Sequence, residues 1–341
     1  MNFAIGYQQP EDEPRFPELI EPFRMSIGEV YFPWVGLPSG RAPLGCRGGN
    51  PGWNVQRILE EDLIELRRMG FKLDLLFNAS CHGGEAASQA LDSEITSIVE
   101  HMGEFCGVPE IVTTASSAIA WIVKKRFPEI DVRASVNMRI GTIRAMGYAS
   151  DLFDSFHLQR DIQRDIPYVR SVASWCHEHG KKLCLLANSG CLRFCPGQSF
   201  HDNLVAHEAE ASNMVPLEGF SPILCRKILG QPGGIVEILK ATWIRPEDIG
   251  NYEGIIDVVK LATRQHSHPA MVATAYSSGH FNGNLLDLLE PGFSQTLYPL
   301  WIDNGAFPAD WLERIGACRE DCASCGYCDD ILSKIVRRGM D

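Results

Sequence analysis

The 341-residue chain has 45% hydrophobic and 22% charged residues, which is typical of a globular protein and argues against disordered and collagen-like classes. Its net charge of −12 argues against broad binding to nucleic acid, because that binding needs clustered lysine and arginine. No apolar run approaches the roughly 20 residues that cross a bilayer, and residues 1–10 lack the pattern of a secretion signal. We therefore expect a cytoplasmic protein without membrane contact, whose twelve cysteines are not paired in disulfides.

Short β-rich segments alternate with helical segments along the chain. The eight predicted strands are Phe3–Tyr7, Glu29–Phe32, Lys72–Asn78, Glu110–Thr114, Asp131–Asn137, Ser155–Gln159, Lys182–Asn188 and Thr242–Arg245. Between them, apolar periodicity and capping residues predict helices over 55–69, from an N-cap at Asp92 to Gly107, and from Asp165 to Gly180. Eight strand–helix units predict an α/β fold, namely a TIM-like (β/α)8 barrel over residues 1–278. The pattern stops near Gly279, so residues 279–341 are predicted to form a Cys-rich C-terminal extension.

Polar residues follow several of the predicted strands, at the end where (β/α)8 barrels carry their active sites. Arginine can bind a carboxylate through two hydrogen bonds, and acidic or imidazole groups can orient it or move protons. Residues in such positions also serve as helix caps and loop ion pairs. The predicted catalytic residues are Arg160, Asp161, Arg245, Glu247 and His201.

The C-terminal extension carries four cysteines separated by only two or three residues. Such short gaps let the chain bring the four sulfur atoms together, so the four thiolates can surround one metal ion or one [4Fe–4S] cluster. The spacing is more typical of ferredoxin-type motifs than of zinc ribbons, which separate two pairs by a long loop. We predict a [4Fe–4S] cluster, with zinc as the alternative, bound by Cys318, Cys322, Cys325 and Cys328.

A second cysteine group follows the seventh predicted strand. Cys191 and Cys195 form a CxxxC pair in the loop, and Cys225 could fold back as a third ligand. A cysteine elsewhere in the chain must then supply the fourth. The candidates, in order of preference, are Cys81, Cys46 and Cys184; the last lies in an apolar strand, where packing is the simpler role. The sequence thus predicts one or two [4Fe–4S] clusters.

Several of these motifs together resemble the peptidase U32 family. They are the segments Asn78–Cys81, Arg160–Asp161, Asn188–Pro196 with His201, Trp243–Asp248 and Asp257–Arg264. The resemblance implies a TIM-like barrel. It also implies a relation to oxygen-independent hydroxylation proteins, which hold a [4Fe–4S] cluster through four cysteines. Within this sequence it points to Cys191, Cys195 and Cys225 as ligands.

The leading interpretation is an iron–sulfur redox enzyme or enzyme subunit that performs oxygen-independent hydroxylation of a small molecule. We expect a small-molecule substrate and a protein partner in a hetero-oligomer. One alternative is a non-catalytic iron–sulfur scaffold or electron-transfer subunit. The other is a U32-type peptidase, although the sequence contains neither GxSxG nor HExxH, the motifs of common serine and zinc hydrolases.

Overall fold

The computed structural model describes residues 1–9, 14–41, 44 and 53–339. Eight parallel strands form a closed barrel in chain order, and β8 pairs with both β7 and β1. The prediction of a TIM-like (β/α)8 barrel is therefore confirmed. The strands are β1 (Phe3–Gly6), β2 (Ile27–Pro33), β3 (Lys72–Phe77), β4 (Ile111–Thr114), β5 (Asp131–Ala134), β6 (Ser155–His157), β7 (Lys182–Leu186) and β8 (Val258–Leu261).

The eighth strand is not the predicted one. The barrel position belongs to Val258–Leu261, which is buried throughout, whereas the predicted segment at 242–245 is no strand of the barrel. That segment runs beside the loop after β7, where the Ile244 N–H donates to the Ala187 carbonyl at 2.7 Å. The prediction was wrong because the apolar character of a segment does not reveal what it packs against. Trp243 is buried against the C-terminal extension.

Helices follow most of the strands and cover the outside of the barrel. They are α1 (Phe16–Ile20), α2 (Trp53–Arg68), α3 (Gln89–Phe105), α4 (Ser117–Arg126), α5 (Ile143–Ala149), α6 (Ile166–Glu178), α7 (Gln198–Ala206), α8 (Glu208–Ala211), α9 (Leu224–Leu229) and α10 (Pro269–Ser278). Within the described ranges, no helix combines the length and the apolar character needed to cross a membrane.

Two predicted helix starts can be compared with the structure. Asp165 caps α6, because its carboxylate accepts the Tyr168 N–H at 3.1 Å. The predicted cap of α3 was wrong: Ser88 occupies that position and accepts the Leu91 N–H at 3.0 Å. Asp92 lies in the first turn of α3 and pairs with Arg126 on α4 at 2.5 Å.

Charged side chains are buried inside the barrel. Arg133 on β5 makes two hydrogen bonds to Glu29 on β2, at 2.6 and 3.2 Å. Its guanidinium also lies 3.7 Å from Asp74 on β3. Because β2 and β5 are not neighbours in the sheet, this ion pair crosses the barrel interior.

The C-terminal extension packs against the barrel-side segment 229–243. It contains α11 (Ser294–Leu297), β9 (Leu300–Ile302), α12 (Trp311–Gly316), α13 (Cys322–Cys325), α14 (Tyr327–Ile335) and β10 (Val336–Arg338), and β10 pairs antiparallel with β9. The Trp311 ring stacks on Trp243, with centroids 5.8 Å apart, and on Tyr327, with centroids 6.1 Å apart. One apolar cluster therefore contains side chains of both the extension and the segment 229–243.

Candidate functional site

Two cysteines lie in the loop after β7, and the loop after β6 supports them. The Arg160 guanidinium donates to the Cys191 sulfur at 3.2 Å. The Asp161 carboxylate accepts the Phe194 backbone N–H at 2.5 Å, between Cys191 and Cys195. Both supporting side chains are buried. Arg160 therefore contacts the sulfur itself, while Asp161 fixes the backbone that carries the pair.

The backbone at Phe194 is strained, because its φ is +51°. Non-glycine residues seldom adopt this left-handed region, which costs on the order of 1–3 kcal/mol. The hydrogen bond from Phe194 to Asp161 holds the conformation, and the neighbouring Arg193 donates to the Asp161 carbonyl. The loop is thus held in one shape by contacts with the end of β6.

Three of the predicted ligands line one cavity of about 440 Å³. Cys191 and Cys195 reach it from the loop after β7, and Cys225 reaches it from α9. Because the loop follows the carboxyl end of a barrel strand, the cavity lies where barrel enzymes place their active sites. His201 on α7 also lines it, together with Arg41.

Burial sets the protonation of the groups in this cysteine cavity. Together with the neighbouring Cys191 and Cys195, it raises the pKa of Cys225 to about 11. Burial also raises the pKa of Cys195 above its ordinary value. It lowers the pKa of His201, with Arg41 adding to the effect. A neutral imidazole therefore faces thiols that need a nearby positive charge to ionise.

The four cysteines of the C-terminal motif line a second cavity of about 220 Å³. Burial raises the pKa of Cys328 to about 11, while the nearby Lys240 ammonium opposes this shift. Cys322 and Cys325 are exposed at the edge of this cavity. The structure therefore brings all four predicted metal ligands of the extension to one place.

The two cysteine groups are neighbours. A third cavity of about 400 Å³ is lined by Cys195 from the loop after β7 and by Cys318, Cys322 and Cys328 from the extension. Arg193 and Glu320 join the same two segments through an ion pair of 2.9 Å. In the part of the chain that the structure describes, no three His, Cys, Asp or Glu side chains already surround a common metal position.

Comparison with known proteins gives two informative matches, and no family model matches the chain. The protein named "Uncharacterized protease MJ1657" of Methanocaldococcus jannaschii is 25% identical over 276 residues, which is 80% of this chain and 79% of that protein. The solved structure of the U32 peptidase Mk0906 is similar with a TM-score of 0.52 at 14% identity, over 76% of this chain and 92% of that one. They support a U32 family assignment. The second match by itself establishes the barrel fold.

Two further predicted catalytic residues, Arg245 and Glu247, lie against the extension. The Arg245 guanidinium makes two hydrogen bonds to Asp248, at 2.8 and 2.9 Å, and lies over the Phe307 ring. One Glu247 carboxylate oxygen accepts from the Phe281 N–H at 2.8 Å. Neither side chain lines the cysteine cavity. Their contacts hold the extension against the barrel.

The candidates for a fourth cysteine ligand are not beside the other three. Cys81 lines a separate cavity with His207. Cys184 is fully buried in β7, where burial raises its pKa to about 12. Cys46 lies outside the described residues. The cysteine cavity therefore contains three thiols among the described residues.

Sequence reasoning missed one charged pair at this site. Arg41 donates to Glu290 at 3.2 Å, and both line the cysteine cavity. The position of Arg41 after β2 was an available signal, since it places the residue on the active-site rim. No local sequence pattern indicates a role for Glu290, because it reaches the rim of the barrel from the C-terminal extension.

Proposed function

We propose that this chain is an iron–sulfur redox enzyme, or the subunit of one, with a [4Fe–4S] cluster held by Cys191, Cys195 and Cys225. The observation that carries the proposal is the convergence of three thiols, from two separate segments, on one cavity at the active-site end of a barrel. The reaction we favour is hydroxylation of a small molecule with an oxygenated organic compound, and not O₂, as the oxygen source.

The donor set suits such a cluster. Thiolate is the usual protein ligand of iron–sulfur clusters, and the raised pKa values of Cys195 and Cys225 are of the kind that a bound metal reverses, because metal binding deprotonates its thiols. The three described cysteines would leave one iron for a further ligand, either Cys46, which lies outside the described residues, or a group of another kind. When bound, the cluster supplies one-electron transfer and a Lewis-acid position.

The surrounding side chains have separate tasks. Arg160 fixes the sulfur of Cys191 through its hydrogen bond. Arg41 and Arg226 line the cavity and bind carboxylate or hydroxyl oxygens of a small polar substrate. His201, with its lowered pKa, accepts a proton at a ring nitrogen. A cavity of about 440 Å³ falls in the size range of small-molecule sites.

The C-terminal cysteines form a second metal site in this proposal, with a [4Fe–4S] cluster favoured over zinc. Its position next to the loop of Cys191 and Cys195 suits transfer of electrons to the cysteine cavity. The exposure of Cys322 and Cys325 favours a protein partner as the electron source. The same exposure supports the second candidate function, a non-catalytic electron-transfer subunit of a hetero-oligomer.

Iron and sulfide counts on anaerobically purified protein test the assignment. Two clusters correspond to about eight iron atoms per chain. We expect Cys191→Ala and Cys325→Ala each to lose about half of the iron. Cys106→Ser is the matched control, because this half-buried thiol lies at the end of α3. Full iron retention in both alanine variants would refute the proposal, and zinc in place of iron at the second site would select the alternative there.

A further inference from the structure

A cysteine and a histidine lie together on the other side of α7, away from the cysteine cavity. Cys81 follows β3, His207 follows α7, and both line a cavity of about 300 Å³. The two side chains influence each other: the neighbouring imidazole lowers the pKa of Cys81, and the thiol raises the pKa of His207. None of the cysteines at 191, 195 and 225 lines this cavity.

A third group orients the histidine. The Glu210 carboxylate lies 3.2 Å from Nδ1 of His207, so the other ring nitrogen is left for the thiol. The Gly83 N–H donates to the Cys81 sulfur at 3.4 Å. The His207 ring lies beside the same turn, since a Cβ at position 83 would be in ordinary contact with its Cε1 atom at 3.8 Å. The arrangement thus contains a thiol nucleophile, an imidazole base and a carboxylate that orients the base. Nucleophilic catalysis uses such a series of groups.

We propose that Cys81, His207 and Glu210 form a nucleophilic site that transfers the acyl group of small esters or thioesters to water. A fourth group supports this assignment. His82 lines the same cavity, and its Nε2 atom is buried without a hydrogen-bond partner. An imidazole nitrogen placed in this way can donate to the carbonyl oxygen on which negative charge develops.

The chemistry balances with water as the only co-reactant. The Cys81 thiolate forms a C–S bond to the acyl carbon, and the bond from that carbon to the alkoxide or thiolate leaving group breaks. The leaving group takes the proton held by His207. His207 then accepts a proton from water, whose oxygen attacks the acyl carbon and breaks the C–S bond. The products are a carboxylic acid and the restored thiol.

The lining of the cavity indicates the substrate class. Its walls combine apolar side chains, among them Leu37, Phe77 and Ile95, with the acidic side chains of Glu85 and Glu94. These side chains favour acyl groups that are uncharged or positively charged, and they disfavour anionic acyl groups. The substrate of this site therefore differs from the oxygen-rich molecule proposed for the cysteine cavity.

Acylation by p-nitrophenyl acetate tests the proposal on the full-length, metal-loaded protein. Peptide mass spectrometry reads the acetyl group on each cysteine, and p-nitrophenolate release gives the rate. We expect Cys81 to be acetylated at least about tenfold faster than Cys106, whose pKa burial raises to about 11. His207→Asn should slow acetylation of Cys81 by about 100-fold, the lower end of typical acid–base contributions.

The matched control is His177→Asn, which removes another imidazole paired with a carboxylate, here Asp257 at 3.0 Å, and should leave the rate unchanged. Glu210→Gln gives a second variant with a smaller loss, should His207→Asn fold poorly. Unchanged acetylation of Cys81 in both variants would overturn the proposal. So would loss of activity on treatment with a chelator, which would indicate a metal site. Cys81→Ala should retain its iron, which separates this site from the cluster.

Discussion

Asp161 and Arg160 both support the loop that carries Cys191 and Cys195. One carboxylate oxygen accepts the N–H of strained Phe194, and the adjacent guanidinium donates to the Cys191 sulfur. This hydrogen bond is partly buried, so an N–H that loses its acceptor there costs part of the desolvation free energy of that group. Both residues therefore act by positioning the thiols. This role does not require either residue to transfer a proton.

Removal of the Asp161 carboxylate should release the loop. We expect Asp161→Ala to lower the free energy of unfolding by about 1–3 kcal/mol, because the Phe194 N–H is left unpaired, and to accelerate loss of iron. Urea denaturation and iron release measure the two effects. Adding Phe194→Gly should recover part of the loss, since glycine accepts the positive φ without strain. Absence of any recovery would show that backbone strain is unimportant there.

The sequence placed Arg160 and Asp161 on the correct rim but could not separate their roles. Their types and positions suit both catalysis and loop support, and only the contacts with Cys191 and Phe194 distinguish the two. The pair of Cys81 and His207 was beyond reach, because the two residues belong to separate segments after β3 and α7. Neither segment has a pattern that specifies their distance in space.

At the scale of elements, the first seven strands could be predicted because short β-rich segments alternate regularly with helical segments along the chain. The eighth could not be chosen reliably, since the segments around 243 and 259 are both buried. What distinguishes them is pairing: Val259 lies opposite Phe3 in the barrel, whereas Trp243 contacts the extension. Such long-range partners leave no local signal.

The ion pair across the barrel connects β2, β3 and β5. We expect Arg133→Met to destabilise the fold by about 3–5 kcal/mol at neutral pH, because Glu29 and Asp74 remain as buried charges without their partner. Glu29→Leu combined with Arg133→Met should restore much of the loss. Urea denaturation of the single and double variants measures both, and equal stability of the two variants would contradict this account.

The same network has a defined pH dependence. Burial raises the pKa of Asp74 to about 6, above its value in the unfolded chain, so the folded state holds this proton more tightly. The contribution of Asp74 to stability is therefore complete in acid and declines as the pH rises through about 6. Arg133 lowers the pKa of Asp74, so without Arg133 this carboxylate should hold its proton more strongly, and the deficit of Arg133→Met should shrink from pH 7 to pH 5.

At the scale of the whole molecule, the extension and the barrel share one apolar cluster. We expect Trp311→Ala to lower the free energy of unfolding by about 3–5 kcal/mol, because it removes a fully buried indole, and to expose the extension to proteolysis. Trp121→Ala is the matched control, since that ring is 53% exposed. Similar losses in both variants would show that the extension is held by other contacts.

The stacked rings of Trp243 and Trp311 also give the protein an optical property. Two indoles with centroids 5.8 Å apart and planes inclined by 11° lie close enough for their electronic transitions to couple. One ring belongs to the barrel-side segment and the other to the extension. If the extension separates from that segment, the coupling is lost even when the barrel strands remain paired. The ellipticity of these chromophores therefore monitors docking of the extension without any attached dye.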